Sequence, residues 1–326
     1  MSLRRRPLLT RRTFLQGAST LGAATLLSQR PADAREQGTD LPTRVLGKTN
    51  QKVTTLALGT WPCGRSSDVD VDGVVKLVHE SLELGINFID TANLYGKAEE
   101  AIGIALKDQR DKVFLATKVW ADTAKDAEAS LADSRRKLQT EQLDLVYVHS
   151  IGDRDVQQVM AADGSLDFLV RQKEKGAIRF VGISGHAKPD SFLPLIKTGK
   201  VDVILVAMNF VDLHTYGFET KVLPLARQLG LGIVGMKVYG GMQGGFEAAD
   251  GPNTGSMVPH RLKQMALRYA LGLDQVATVV IGPHSVEQLL QNAQLARAFQ
   301  PLTDRERTEL IALGKELAPK WGDHFG

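Results

Sequence analysis

Three short segments carry four side chains that could act together. Ile86-Asn87-Phe88-Ile89-Asp90-Thr91-Ala92-Asn93-Leu94-Tyr95-Gly96 supplies a carboxylate and, five residues on, a phenol. Ala116-Thr117-Lys118 supplies an ammonium, and Leu145-Val146-Tyr147-Val148-His149 an imidazole. A carbonyl that accepts a hydride develops negative charge on its oxygen, and a positioned acid must give that oxygen a proton. Tyrosine, with a free pKa of about 10, is a weak donor near neutrality. A lysine ammonium beside Tyr95 would stabilise its phenolate and lower that value. Lys118 would be costly in an apolar interior unless paired, and Asp90 offers the counter-charge. His149 could give the oxygen a second hydrogen bond and orient the substrate. Singly, each has a structural reading: Asp90–Lys118 an ion pair, Tyr95 an amphipathic residue at a helix entrance, His149 a satisfied strand-end histidine.

Bringing these residues together requires elements that end at one place. Short β-branched runs at 54–58, 86–89, 113–117, 143–148, 179–183, 203–207, 231–236 and 278–281 read as strands. Amphipathic segments near 73–84, 97–107, 124–139, 155–175, 189–198, 217–229 and 260–272 lie between them, and 285–299 and 303–317 follow. Eight apolar strands each followed by a helix predict parallel pairing and a closed (β/α)8, or TIM, barrel, an α/β fold. A doubly wound sheet would want a glycine-rich phosphate loop after its first strand, and Leu58-Gly59-Thr60-Trp61-Pro62-Cys63-Gly64 is not one. In a barrel the strand ends share one mouth, so Asp90, Tyr95, Lys118 and His149 can meet. A two-strand flap at 44–47 and 51–53, turned by Thr49-Asn50, is placed to close the floor. The glycine- and proline-rich stretch 240–257 reads as a long loop at the mouth.

The run Phe-Ile-Asp-Thr-Ala-x-x-Tyr-Gly, then Ala-Thr-Lys, then Val-His resembles the catalytic segments of the aldo-keto reductases. The likeness runs from about residue 44 to 300. It includes Gly176-Ala177-Ile178-Arg179-Phe180-Val181-Gly182-Ile183-Ser184 and Ile281-Gly282-Pro283-His284-Ser285-Val286-Glu287-Gln288. The resemblance implies NAD(P)H-dependent reduction of a small-molecule carbonyl substrate. Tyr95 would be the proton donor, Lys118 and Asp90 its tuners, and His149 the orienting group. It implies a nicotinamide near Ser184, Asn209 and the end of the seventh strand, at Met236 and Lys237. The adenosine end would lie by Gly282, Ser285, Gln288 and Asn292, where a helix start can meet a phosphate; as a plain helix cap, Ser285 reads equally well. Gly59, Thr60 and Trp61 would border the mouth, and Trp61 and Trp120 either wall a substrate pocket or belong to the core. By family habit the cofactor is NADP, with NAD open.

The chain departs from the family pattern at three points. Gly185-His186 stands where many relatives have asparagine, Leu205 where many have glutamine, and Met236 where a tyrosine often stacks on the nicotinamide. Ser-Gly-His and Met-Lys resemble a branch that often bears iron–sulfur clusters, yet the single Cys63 cannot hold one. A non-catalytic, cofactor-binding or regulatory barrel is therefore kept as the alternative. An isomerase or lyase barrel would want a phosphate site or metal carboxylates at the mouth.

Composition narrows the rest. The net charge of +3 comes from the first 34 residues, which hold six arginines and one acid; without them the balance is −2. No basic surplus remains to bind nucleic acid. The seven histidines show no paired metal-ligand spacing. Residues 1–34 read as a signal peptide: Thr10-Arg11-Arg12-Thr13-Phe14-Leu15, an apolar run from Gly17 to Leu27, then Ala32-Asp33-Ala34. Arg11-Arg12 before Phe14-Leu15 resembles the twin-arginine signal, which implies the twin-arginine export machinery as a partner and a periplasmic or secreted protein. A basic Sec signal and an uncleaved anchor are the other readings. Residues 35–43 read as a linker, and 44–326 as the barrel.

Overall fold

The computed structural model describes residues 40–240 and 257–321. The expected signal peptide, most of the linker and most of the 240–257 loop lie outside the described residues. Ten strands occur among those described: β1 Thr43–Val45, β2 Lys52–Thr54, β3 Leu56–Gly59, β4 Phe88–Asp90, β5 Phe114–Val119, β6 Leu143–Val148, β7 Ile178–Gly185, β8 Val203–Ala207, β9 Gly232–Met236 and β10 Val276–Ile281. The helices are α1 Trp61–Arg65, α2 Val71–Glu83, α3 Ala98–Ala105, α4 Ala124–Leu138, α5 Val156–Met160, α6 Ser165–Glu174 and α7 Phe192–Lys197. They continue with α8 Asp212–Thr215, α9 Phe218–Lys221, α10 Leu223–Gln228, α11 Lys263–Leu271, α12 Val286–Arg297 and α13 Asp304–Trp321.

Strands β3 to β10 form a closed barrel of eight parallel strands, with β10 pairing both β9 and β3. The (β/α)8 class expected from the alternation of strands and helices is what forms. Alternate side chains along a strand face opposite sides. On β6, Leu145 and Tyr147 join the interior cluster with Phe88, Phe114 and Leu205, whereas Val146 and Val148 pack toward the helices. The Tyr147 ring fits because β7 carries Gly182 beside it: a Cβ there would stand 2.3 Å from Tyr147 Cδ1. The flap, β1 paired antiparallel with β2, sends Leu46 and Val53 into the same interior cluster, both fully buried. It plugs the floor, as anticipated. Asp144 closes that end too, held by Arg110 at 2.7 Å and Arg179 at 2.6 Å.

Several boundaries move. The barrel chain begins inside the stretch read as linker, because Leu41 is buried and Thr43 already pairs with Thr54. The flap turn is a 3-10 turn, Gly47–Thr49, followed by Asn50 in the left-handed region at φ 56°. The segment read as one helix over 155–175 is two, α5 and α6. Gly164 lies against the carbonyls of Gln158 and Val159, where a Cβ would come within 2.4 Å of both, and it bridges Thr123. The segment 217–229 likewise divides into α9 and α10, which meet at Val222.

Candidate active site

Strand geometry brings the four residues together. Asp90 closes β4, and Lys118 lies on the neighbouring β5. Lys118 Nζ donates to Asp90 Oδ1 at 2.5 Å and to the Thr91 carbonyl at 2.7 Å. The two side chains are 1% and 4% exposed, so the pair sits in the barrel rather than on a wet rim. The loop after β4 folds back, with Thr91 N–H donating to Ala116 O and Tyr95 N–H to Ala92 O. That carries the Tyr95 ring to 4.8 Å from Lys118 Nζ. His149 follows β6, its N–H bonded to Val119 O, and its ring meets Tyr95 edge-to-face at 5.9 Å. Ser150 then adopts φ 57°, turning the chain sharply away from the strand.

These rings open into one cavity of about 390 Å³ at the C-terminal ends of the strands. Gly59, Thr60 and Trp61 line one side of it, as do Met236 and Lys237. Gly282, Gln288 and Asn292 line it further along. Gly282 is required by the close approach of α1, since a Cβ there would lie 2.4 Å from Pro62 Cδ. Trp120 lines the mouth and is 40% exposed, so it is not core.

Three expected cofactor residues do not line this cavity. Ser184 is buried on β7, where its Oγ accepts from Ser150 N–H at 3.4 Å. Asn209 is consumed by its own turn: it donates to Lys237 O at 3.0 Å and to Asp212, and accepts from the N–H groups of Val211 and Asp212. Ser285 caps α12, accepting from Gln288 N–H at 3.3 Å. Each of these polar groups bonds backbone: Ser184 at the turn after β6, Asn209 in its own turn, and Ser285 at the start of α12. Sequence reasoning missed Leu94, Ser150, Asp153, Tyr239, Lys263 and Gln291 in the cavity wall. Leu94 and Ser150 sit next to Tyr95 and His149 and were findable from the motifs. Lys263 and Gln291 are on helices whose turn toward the mouth depends on tertiary packing.

The Aldo/keto reductase family profile matches residues 55–257. The chain belongs to the aldo/keto reductase family. It is 27% identical over 298 residues to an L-galactose dehydrogenase of Arabidopsis thaliana, covering 81% of this chain and 91% of that protein. A methylglyoxal reductase of Escherichia coli O157:H7, DkgB, is 32% identical over 167 residues, 50% of this chain and 60% of that one. Among solved structures, the holo form of aldo-keto reductase AKR11C1 from Bacillus halodurans superposes with a TM-score of 0.68. It is 27% identical, over 84% of this chain and 96% of that one. An aldo-keto reductase of Klebsiella pneumoniae in complex with NADPH shares the fold, at a TM-score of 0.66 and 24% identity over 84% of this chain and 95% of that chain.

In this aldo/keto reductase, burial dominates the electrostatics. Burial pushes Tyr95 above its ordinary value and Lys118 pulls it down, with Asp90 pushing it up again. The net direction corrects the expectation that Lys118 lowers the phenol: the lysine acts in that sense, but enclosure outweighs it. Tyr95 therefore keeps its proton. Burial pulls Lys118 down, yet Asp90 and Tyr95 outweigh it and hold the ammonium above its usual range. Burial raises Asp90, against the pull of Lys118. His149 lies well below the usual imidazole range, by burial first and then by the charges of Lys118, Arg154 and Lys237. It is a neutral imidazole. Burial brings Lys237 down to about 7, with Asp212 opposing. Among the described residues no group of three side chains is placed to hold a metal ion, and no helix is long and apolar enough to cross a membrane.

Proposed function

We propose that this chain reduces an aldehyde or ketone to an alcohol, with Tyr95 as the proton donor and a nicotinamide dinucleotide as the hydride source. The observation that carries the reading is the buried Asp90–Lys118 pair, 2.5 Å apart, with the Tyr95 ring 4.8 Å from the same ammonium at the base of an open cavity. The relatives named as dehydrogenase and reductase support the reaction class.

The residues along the cavity fit a dinucleotide. Gly59 and Gly282 offer backbone without side chains, and Lys237, Lys263 and His284 are the basic groups suited to phosphates. Gln288, Gln291 and Asn292 are hydrogen-bonding amides further along. A bound cofactor, NADP by family habit and NAD as the other form, would supply the hydride for the carbonyl carbon. The chain's own part begins with orientation. Neutral His149 offers a ring N–H to the carbonyl oxygen, and Tyr95 offers its hydroxyl. As negative charge grows on that oxygen, the Tyr95 proton passes to it and the alcohol forms. The phenolate left behind faces Lys118, whose ammonium Asp90 keeps charged. Trp61, Trp120 and Leu94 narrow the mouth around the small-molecule carbonyl substrate. A second reading, a barrel that binds cofactor without turnover, is supported by Ser184 and Asn209 bonding backbone groups and not lining the cavity themselves.

Loss of nicotinamide absorbance with a panel of aldehydes, using NADPH and NADH in turn, separates the two readings. Tyr95→Phe keeps the ring and removes the donor, so turnover is expected to fall roughly 10²–10⁴-fold with cofactor affinity little changed. Near-normal turnover in Tyr95→Phe would remove the tyrosine from its role. Wild-type protein that binds cofactor and turns over no aldehyde would favour the second reading.

Export belongs to the same proposal. Arg11-Arg12 with Phe14-Leu15 supports a twin-arginine route and a periplasmic or secreted enzyme, loaded with its cofactor before transport.

A further inference from the structure

Trp120 is a large aromatic ring, 40% exposed, at the mouth of the cavity. An exposed indole on a loop is ordinarily free to change rotamer. This one is held from two sides. The Arg154 guanidinium lies over it, with its carbon 4.0 Å from the ring centroid. The His149 ring meets it edge-on at 5.4 Å, with the planes at 85°. Arg154 is itself anchored. Its side chain is only 11% exposed, and Nη1 stands 3.4 Å from Asp122 Oδ1, two residues after Trp120 on the same loop. It is reached from the other direction in sequence: the chain leaves His149, turns at Ser150, forms a 3-10 turn at Ile151–Asp153 and arrives at Arg154. The loop after β6 thus returns to grip the loop after β5.

We propose that Arg154 is a positioning residue that clamps Trp120 against His149, and so fixes both the wall of the mouth and the plane of the imidazole that meets the substrate. A planar guanidinium suits this task. It stacks on an aromatic face while its edge faces a carboxylate by charge, a combination a lysine ammonium cannot reproduce. Positive charge at this position has a second effect on the imidazole. The charged and titratable groups that face His149 are Lys118 on β5, Tyr95 on the β4–α3 loop, Arg154 after β6 and Lys237 after β9, with Asp90, Asp153 and His186 lining the same cavity and Asp122 behind Arg154. Lys118, Arg154 and Lys237 all oppose its protonation. Burial is the main reason His149 is held low, and the Arg154 charge adds to it after Lys118, so Arg154 contributes to shape and charge at once.

The inference rests on the carbonyl-reducing reading only for its kinetic arm, so the test has a second arm that needs no turnover. Imidazole proton resonances are followed against pH in the full-length protein, with His149→Gln to assign the signal. Arg154→Met keeps the stem and removes the charge, and the His149 titration is expected to move upward. Arg154→Lys keeps the charge, and the titration is expected to stay near that of the wild type. In the kinetic arm both variants lose the stack, so KM for an aromatic aldehyde is expected to rise roughly 3–10-fold, with a smaller change in kcat. An imidazole that titrates identically in the Met variant and the wild type overturns the proposal, as does an unchanged KM in both variants of an active enzyme. If no aldehyde is turned over, the reading of function fails while the resonance arm still decides the role of Arg154.

Discussion

Asp90 and Lys118 face one another, both buried, so removing one strands the other. A buried charge without its partner costs about 3–5 kcal/mol. Asp90→Leu and Lys118→Met are each expected to lose stability of that order and also activity. The double variant should regain part of the stability and none of the activity, measured as urea unfolding midpoints beside turnover. Independent, additive losses would mean that the two side chains do not act as a pair. Tyr147 tests the same interior from its apolar side. Its hydroxyl is fully buried and finds no hydrogen-bond partner among the described residues. Tyr147→Phe is therefore expected to leave stability unchanged or raise it by about 1 kcal/mol; a loss of that size would show the hydroxyl engaged. That Asp90, Tyr95, Lys118 and His149 would meet at one mouth was legible, because their spacing puts each at or just past a strand end, where barrel geometry fixes direction. That Ser184 and Asn209 would turn to backbone was not. Whether a short polar side chain turns to a ligand or to its own backbone depends on local bonds that spacing does not encode.

Strands were easier to read than helices for a related reason. A barrel strand is buried on both faces, so β8 appears as a continuous apolar run, and β6 does too beyond Asp144. The breaks within helical stretches depend on close approach, as at Gly164, or on a short kink, as at Val222, and neither interrupts amphipathicity enough to show. One helix pair carries a testable pH dependence. Tyr269 on α11 donates its hydroxyl to the Glu219 carboxylate on α9, at 2.9 and 2.8 Å from the two oxygens. Burial raises Glu219 from 4.5 to about 7, against the bond from Tyr269 and the charges of Arg307 and Arg227. A carboxyl that binds its proton more tightly when folded adds stability that is full below its unfolded value and lost as pH rises through its folded value. Stability is thus expected to fall between about pH 4.5 and 7, by at most about 3 kcal/mol from this group. Glu219→Gln should flatten that part of the profile, read as denaturant midpoints at pH 5 and pH 8. An equal slope in the variant would assign the dependence elsewhere.

For the whole molecule, the prediction concerns where it ends up. A Sec signal needs only positive charge before its apolar run, so changing Arg11 and Arg12 to lysine should leave Sec export intact. A twin-arginine receptor reads the guanidinium pair, whose planar donors lysine lacks. The Lys-Lys variant is expected to stay in the cytoplasm, full length and active, while wild-type protein reaches the periplasm with a new N-terminus near Arg35. Cell fractionation and N-terminal sequencing check both, and normal export of the variant would refute the route. The barrel's own closure bears on the timing of that journey. Its first strand completes its pairing only with its last, Leu56 beside Val279, and Arg44 reaches 227 and 232 residues along the chain to the carbonyls of Leu271 and Val276. A ribosome that has made the chain through β9, the seventh of the eight barrel strands, has still not made the strand that β3 must join. Until β10 emerges, both sheet edges are open to pairing with other chains. Before then the nascent barrel has no finished state to reach, and its dependence on chaperones should be high until β10 emerges and end abruptly when the ring shuts.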